Sequence, residues 1–209
     1  TMSSPDTLAS GRFRVGERLG AGAFGEVHRA YDQVHRREIA LKLLHKQDPA
    51  SLARFKREFR SVATIRHPHL VALHSLHRDG ERWFFTMDLV DGFDLVPYLR
   101  PAGELDVGRA RRAFREIAEA LSALHESGHV HRDVKPSNVR LAVDGSVRLL
   151  DFGFAQAVDA RTSETFVGTP LYMAPEVVDG THATPASDWY AFGVLLFECL
   201  ASEAPFRGR

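Results

Sequence analysis

This sequence predicts an α+β protein in two parts, a small antiparallel β lobe followed by a mainly helical lobe. Three observations carry that expectation. Short runs rich in branched and aromatic residues, separated by turn residues, fill most of the first ninety positions. One amphipathic stretch, with its own start signal, interrupts them near residue 50. After Asp91-Gly92 the apolar spacing lengthens to that of helices.

Residues 1–10, TMSSPDTLAS, are polar and aperiodic and are expected to form a disordered tail. The small lobe then covers residues 11–90. FRVGERLG, FGEVHRAYD and REIALKLL read as strands of a meander. DPASLARFKREFRSVATI reads as a helix capped by Asp48, with Pro49 in its first position. Its apolar face is Leu52, Phe55, Phe59, Val62 and Ala63. HLVALHSLH and RWFFTMDLV return to strand around the turn RDGE. The hinge is expected near 88–92, and the helical lobe covers 91–209. There DVGRARRAFREIAEALSALHESG places Ala110, Phe114, Ile117, Leu121 and Leu124 at helical spacing between a cap at Asp106 and a stop at Gly128. VRLAVDGSVRLL is a hairpin turning at Asp144-Gly145. TPASDWYAFGVLLFECLA is a second buried helix, entered through Pro185.

Composition narrows the function classes. Twenty-seven acidic residues balance twenty-seven basic ones, so no overall field draws nucleic acid or an anionic membrane. A single cysteine, Cys199, excludes an internal disulfide and fits a reducing compartment. The longest apolar run, WYAFGVLLF, is too short to span a bilayer, and no signal peptide is visible, so a cytoplasmic location is expected. The cations are 23 arginines and four lysines, Lys42, Lys46, Lys56 and Lys135. Lysine is therefore expected where a compact point charge matters.

GAGAFGEV supplies Gly20, Gly22 and Gly25 in G-x-G-x-x-G spacing, followed by Val27. A dinucleotide site needs a helix after such glycines, but EVHRAYD is a strand, so they read as the tip of a hairpin able to close over phosphates. A plain glycine turn is the alternative. Lys42 sits in IALKLL among apolar neighbours, where an unpaired ammonium would be costly. It reads either as a snorkelling edge lysine or as a phosphate ligand oriented by Glu58, sixteen positions on. HRDVKPSN then gathers Asp133, Lys135 and Asn138 within six residues. Asp133 suits a base that receives a hydroxyl proton, Lys135 a charge neutralising a transferring phosphoryl group, and Asn138 an oxygen ligand for a divalent cation. Asp151, at the end of an apolar strand in LLDFG, is a second hard ligand for Mg²⁺.

Taken together, the glycine loop, strand lysine, helix glutamate, HRDVKPSN, DFG and APE resemble the protein kinase family over residues 12–209, in order and in structural context. The resemblance implies a two-lobed kinase fold, ATP and Mg²⁺ as cofactors, and a protein carrying a Ser or Thr hydroxyl as substrate. Lys135 and GTPLYMAPE point to the serine/threonine branch, and the arginine-rich spelling resembles bacterial kinases of eukaryotic type. In the family's arrangement Lys42 and Glu58 serve the phosphates, Asn138 and Asp151 the metal, and Asp133 the substrate hydroxyl. Leu19, Val27 and Ala40 would cover the adenine. Met87 would be the gatekeeper, with Asp88 and Leu89 at the hinge. Asp94 matches the position that reaches the ribose, with a helix cap as its alternative.

Arg132 would meet a phosphate on the activation segment, where Thr165 matches the primary site among Thr162, Ser163 and Thr165. Two copies phosphorylating each other in trans is the expected route to it. Arg140 departs from the family, which puts an apolar side chain under the adenine; it is expected to stack on the ring or swing to solvent. The histidines read as scaffold and Cys199 as core. The large lobe is expected to be incomplete at its C-terminal end. A pseudokinase scaffold or regulatory nucleotide-binding module, and a small-molecule phosphotransferase of related fold, are the rival readings.

Overall fold

The computed structural model describes residues 7–22, 24–46, 48–151 and 170–206. The chain divides into two units, Thr1–Thr64 with Ala72–Leu89 and Ile65–Val71 with Val90–Arg209.

Alternation builds the first unit. Strands β1 (Thr7–Leu8), β2 (Phe13–Gly22), β3 (Gly25–Asp32), β4 (Arg37–Leu44), β5 (Leu73–Asp79) and β6 (Arg82–Met87) form one sheet in the order β1-β2-β3-β4-β6-β5. Every neighbouring pair is antiparallel. Because successive side chains alternate in a strand, REIALKLL divides its apolar residues between two faces. Ile39 and Leu41 join Leu8, Phe13, Ala30 and Phe84 in one buried cluster. The register sets Val27, Lys42 and Phe85 side by side on the opposite face. Helix α1 (Pro49–Val62) packs on that second face, its Phe55 and Phe59 rings lying 6.0 and 5.4 Å from the Phe85 ring. Asp48 caps the helix by accepting from the Ala50 and Ser51 amides at 2.9 and 3.0 Å.

Within the stretch expected to be a tail, Thr7 and Leu8 form a strand. Thr7 and Leu8 pair with Arg14 and Phe13, and Leu8 is 1% exposed. Burying such a leucine contributes about 1.5–3 kcal/mol, enough to order a short edge strand. Ala9 donates its amide to Asp79, which fixes the strand's exit. A lone leucine in a polar run has no period by which a sequence reveals it.

The boundary also moves. Ile65–Val71 belong to the second unit, because His69 and Val71 exchange backbone hydrogen bonds with Leu149 at 2.9 and 3.0 Å. The strand expected from His69 therefore starts at Leu73.

The second unit carries a three-stranded sheet, β7 (Gly92–Asp94), β8 (Val139–Ala142) and β9 (Val147–Leu149), with helices α2 (Leu95–Leu99), α3 (Val107–Glu126), α4 (Pro175–Val178) and α5 (Pro185–Ala201). Ile117, Leu121 and Leu124 of α3 are fully buried, as their helical spacing requires. Glu116 lies on the same face and is also buried. Burial pushes its carboxyl up, but the Arg112 guanidinium and the Val147 amide, each at 2.8 Å, outweigh that and hold it below the usual range. Helix α5 is less completely buried than expected: Val194, Leu195 and Cys199 face the core, while Trp189, Phe197 and Leu200 are exposed. Burial pushes the Cys199 thiol up to about 12, which keeps it protonated and matches a core role.

Candidate active site

In the first unit the glycines do form a hairpin tip. Gly20 faces Val27, Ala21 faces Glu26 and Gly22 faces Gly25 across β2 and β3, as the strand after the glycines demanded. Gly25 has a steric reason to lack a side chain, since a Cβ there would stand 1.9 Å from the Leu43 carbonyl oxygen. The register then aligns Val27 with Lys42, and Ala40 with Met87. By strand parity these four residues share the face on which α1 lies. Ala40 and Met87 are buried, Lys42 and the α1 residue Glu58 are half-buried, and Leu19 is exposed. Thus the sheet brings Lys42 and Glu58 to the same side of the unit, which sequence spacing alone could not establish. Asp88 leaves β6 by donating its amide to Ala72 at 3.0 Å, and His74 stands 3.0 Å from its carboxylate. Leu89 follows as the last residue of this unit.

In the second unit the residues of HRDVKPSN converge on one carboxylate. Lys135 Nζ lies 2.9 Å from Asp133 Oδ2. Asn138 Nδ2 donates to that same oxygen at 2.8 Å and to the Asp133 carbonyl at 2.7 Å. With its nitrogen committed to Asp133, the Asn138 amide turns Oδ1 the other way. A 3-10 turn at Pro136–Asn138 permits the close return, with the Asn138 amide donating to the Lys135 carbonyl. Leu150 donates its amide to the Asn138 carbonyl at 2.8 Å, which sets Asp151 one residue beyond the loop. Asp151 itself has φ 49°, a left-handed conformation rare for a residue with a side chain. Among the described residues no group of three or more His, Cys, Asp and Glu is arranged to hold a metal alone. A Mg²⁺ site needs fewer protein ligands, one or two oxygens completed by phosphate and water, and Asn138 with Asp151 supplies that number.

Two buried groups hold the loop. His131 is fully buried; the Asp133 amide donates to its Nδ1 at 3.3 Å, so Nε2 carries the proton and donates to the Leu150 carbonyl at 2.8 Å. Burial lowers the pKa of this histidine, in agreement with a neutral ring. Asp188 of α5 is 1% exposed and accepts from the His131 and Arg132 amides at 2.7 Å each and from His125 Nε2 at 2.8 Å. Arg132, at φ 70°, is held in a conformation that the Asp188 carboxylate makes tenable.

Sequence reasoning missed Asp188 and gave His125 no specific partner. An acidic residue in the first turn of a helix is explained well enough by the helix dipole, so only its burial reveals its role.

Arg140 is anchored in the sheet and does not swing out to solvent. Strand pairing sets it directly opposite Asp94. Its Nη1 donates to the Asp94 carboxylate and its Nη2 to the Gly92 carbonyl at 2.9 Å. The guanidinium is thereby drawn along the sheet, and its side chain is 30% exposed. Asp94 occupies the cap position of α2 but makes no side-chain cap hydrogen bond, so its alternative role as a cap is also corrected. Thr165, with Thr162 and Ser163, lies outside the described residues.

A glycine hairpin beside a strand lysine in one unit, and in the other a loop that focuses lysine and asparagine on one aspartate, are the features by which the protein-kinase class is recognised. Comparison agrees. The protein kinase domain model matches residues 13–209, and the chain belongs to that family. It is 37% identical over its whole length to the serine/threonine-protein kinase PknE of Mycobacterium tuberculosis, covering 38% of that protein. It is 38% identical to the serine/threonine-protein kinase pkn2 of Myxococcus xanthus, with 99% of this chain and 26% of that protein covered. PknA of Mycobacterium tuberculosis is 36% identical, with 95% of this chain and 49% of that protein covered. The chain thus spans between a quarter and a half of the length of these relatives. A crystal structure of Rad53 1-466 in complex with AMP-PNP superposes with a TM-score of 0.80 at 29% identity, covering 97% of this chain and 52% of that one.

Proposed function

We propose that this chain is the catalytic domain of a serine/threonine protein kinase, transferring the γ-phosphoryl group of ATP to a protein hydroxyl. The observation that carries the reading is the convergence of Lys135 and Asn138 on Asp133. The Asp133 carboxylate accepts the proton of the attacking Ser or Thr hydroxyl as the O–P bond forms and the bond to the ADP oxygen breaks. Lys135, already 2.9 Å from Asp133, moves its ammonium to the phosphoryl oxygens as charge gathers there. The Gly20–Gly25 hairpin and Lys42 hold the phosphates, with Glu58 orienting Lys42, while Leu19, Val27, Ala40, Met87, Asp88 and Leu89 form the adenine side. Asp94 faces the ribose while tied to Arg140. Asn138 and Asp151 would hold Mg²⁺, which neutralises phosphate charge when bound. Thr165 is the proposed phosphorylation site, reached in trans by a second copy. A cytoplasmic location and a serine/threonine substrate complete the reading.

The test is Asp133→Asn, assayed for nucleotide binding and for phosphate transfer to a serine peptide. Binding is expected to stay within about twofold while turnover falls by about 10²–10⁴, the scale of a positioned base. Unchanged turnover would remove Asp133 from the mechanism and the kinase reading with it.

A further inference from the structure

His45 follows directly on β4 and is bonded to both limbs of the glycine hairpin. Its backbone amide donates to the Phe24 carbonyl at 3.0 Å, and its ring Nε2 lies 3.2 Å from the Gly22 carbonyl oxygen. A carbonyl can only accept, so Nε2 carries the proton and donates. Two bonds from one residue thus hold the outgoing and the returning side of the tip.

The clamp stands behind the hairpin. Because side chains alternate along a strand, His45 falls with Leu41 and Leu43 on the face opposite Lys42. Further down, the limbs are fastened on that same side. Glu26, set opposite Leu43 in the register, accepts from Arg18 Nη1 at 3.2 Å and from His28 Nε2 at 3.3 Å. These fastenings all keep off the side that Lys42 shares with Val27. A glycine-rich tip has much conformational freedom to lose when it closes on a ligand. A bond that restricts the tip beforehand lowers that cost.

We propose that His45 is a positioning residue for the polyphosphate of the nucleotide. By holding the Gly22 carbonyl it arranges the hairpin tip in advance, and it strengthens phosphate binding without meeting the phosphates itself. That the hairpin closes on phosphates rests on the kinase reading; the clamp does not.

One intramolecular hydrogen bond changes an equilibrium by about two- to twelvefold, and water competes for this exposed one, so an effect of about fivefold is expected. The test compares wild type, His45→Ala and His45→Gln. Affinities for MgATP and for adenosine, which lacks phosphates, are measured by calorimetry on the whole chain, with KM and kcat on a serine peptide. His45→Ala should weaken ATP binding and raise the KM for ATP about fivefold, with kcat and adenosine affinity staying within about twofold. A general loss of structure would weaken both ligands alike. His45→Gln carries an N–H where Nε2 stands and should bring ATP binding back to within about twofold of wild type. Unchanged ATP affinity in His45→Ala, an equal loss for adenosine, or no recovery in His45→Gln would overturn the proposal. The kinase reading is judged on the same samples. Transfer with ATP affinity indifferent to His45 refutes only the clamp, His45-dependent ATP binding without transfer refutes only the kinase, and absence of ATP binding refutes both.

Discussion

Replacing Asp188 tests whether a buried carboxylate outside the reacting groups governs the catalytic loop. Asp188 accepts three hydrogen bonds of 2.7–2.8 Å, two of them from the backbone amides of His131 and Arg132. Asp188→Ala strands both amides in a site that is 1% exposed. Each buried donor left without a partner costs about 1–3 kcal/mol, so the pair should cost about 3–5 kcal/mol. A domain of ordinary stability holds about 5–15 kcal/mol, so the variant should fold but sit close to its limit. A second effect comes from strain: a non-glycine residue held at positive φ, as Arg132 is at 70°, stores about 1–3 kcal/mol. Without the carboxylate that strain can relax, and the neighbouring Asp133 moves with it.

Urea unfolding should therefore show a lower midpoint for Asp188→Ala, with turnover on a serine peptide falling at least about tenfold under conditions where the variant is folded. Asp188→Asn keeps the volume but points an NH₂ at one of the two amides, so it should lose about half as much stability. His125→Ala removes only a side-chain donor at the edge of the cluster and should cost least. An Asp188→Ala protein with wild-type midpoint and turnover would refute the claim that this residue holds the loop.

Lys42→Met should lower turnover by about 10²–10⁴ through lost phosphate positioning, and in a double-mutant cycle with Glu58→Gln the two losses should fail to add by more than about 0.5 kcal/mol; additivity would remove the ion pair. Arg140→Leu should change ATP affinity by less than about tenfold, roughly 1.4 kcal/mol, because the guanidinium is already occupied by Asp94 and the Gly92 carbonyl; far tighter binding in the variant would mean that the native arginine obstructs the nucleotide. Acid should destabilise the fold early. Burial depresses the pKa values of His131, His77 and His67 below their ordinary 6.5, so the unfolded chain takes up their protons first as pH falls through 6.5. Stability is then present above that pH and lost below it, and a urea midpoint that rose between pH 7.5 and 5.5 would contradict the assignment.

Most of the fold could be read from the sequence because its signals are local. Asp48 with Pro49, and Asp106, mark helix starts that the structure places where the capping chemistry required. The glycine spacing was read correctly only because a strand, not a helix, follows it. What escaped notice depends on distant partners. The burial of Leu8 depends on Ile39, Leu41 and Phe84 closing over it. The assignment of Ile65–Val71 depends on Leu149, about eighty residues away. Asp188 lies fifty-seven positions from His131, and nothing in SDWYAFG distinguishes it from an acid placed for the helix dipole. The anchoring of Arg140 escaped notice for a related reason: the short strand Gly92–Asp94 has no pattern of its own, so its pairing with β8 could not be foreseen.

The use of lysine against arginine follows the geometry that each cation serves. Arginine appears where two acceptors must be bridged by a rigid fork. Arg12 grips both oxygens of Asp32, Arg29 spans Glu17 and Glu38, and Arg100 caps α5 through the Cys199 and Leu200 carbonyls. Arg140 does the same between Asp94 and Gly92. Of the four lysines, Lys46 faces Glu81 in full solvent, where such a pair contributes little, and Lys56 covers the Trp83 ring at 3.8 Å. Lys135 differs from both, being largely shielded and set on a single carboxylate oxygen. A fork there would engage both oxygens of Asp133 and leave none for an incoming hydroxyl. An ammonium occupies one and can transfer its attention to a phosphoryl group without breaking a second bond. Lys135→Arg is thus expected to lower turnover on a serine peptide while leaving the urea midpoint near the wild-type value, and unchanged turnover would show that the lysine serves loop stability alone.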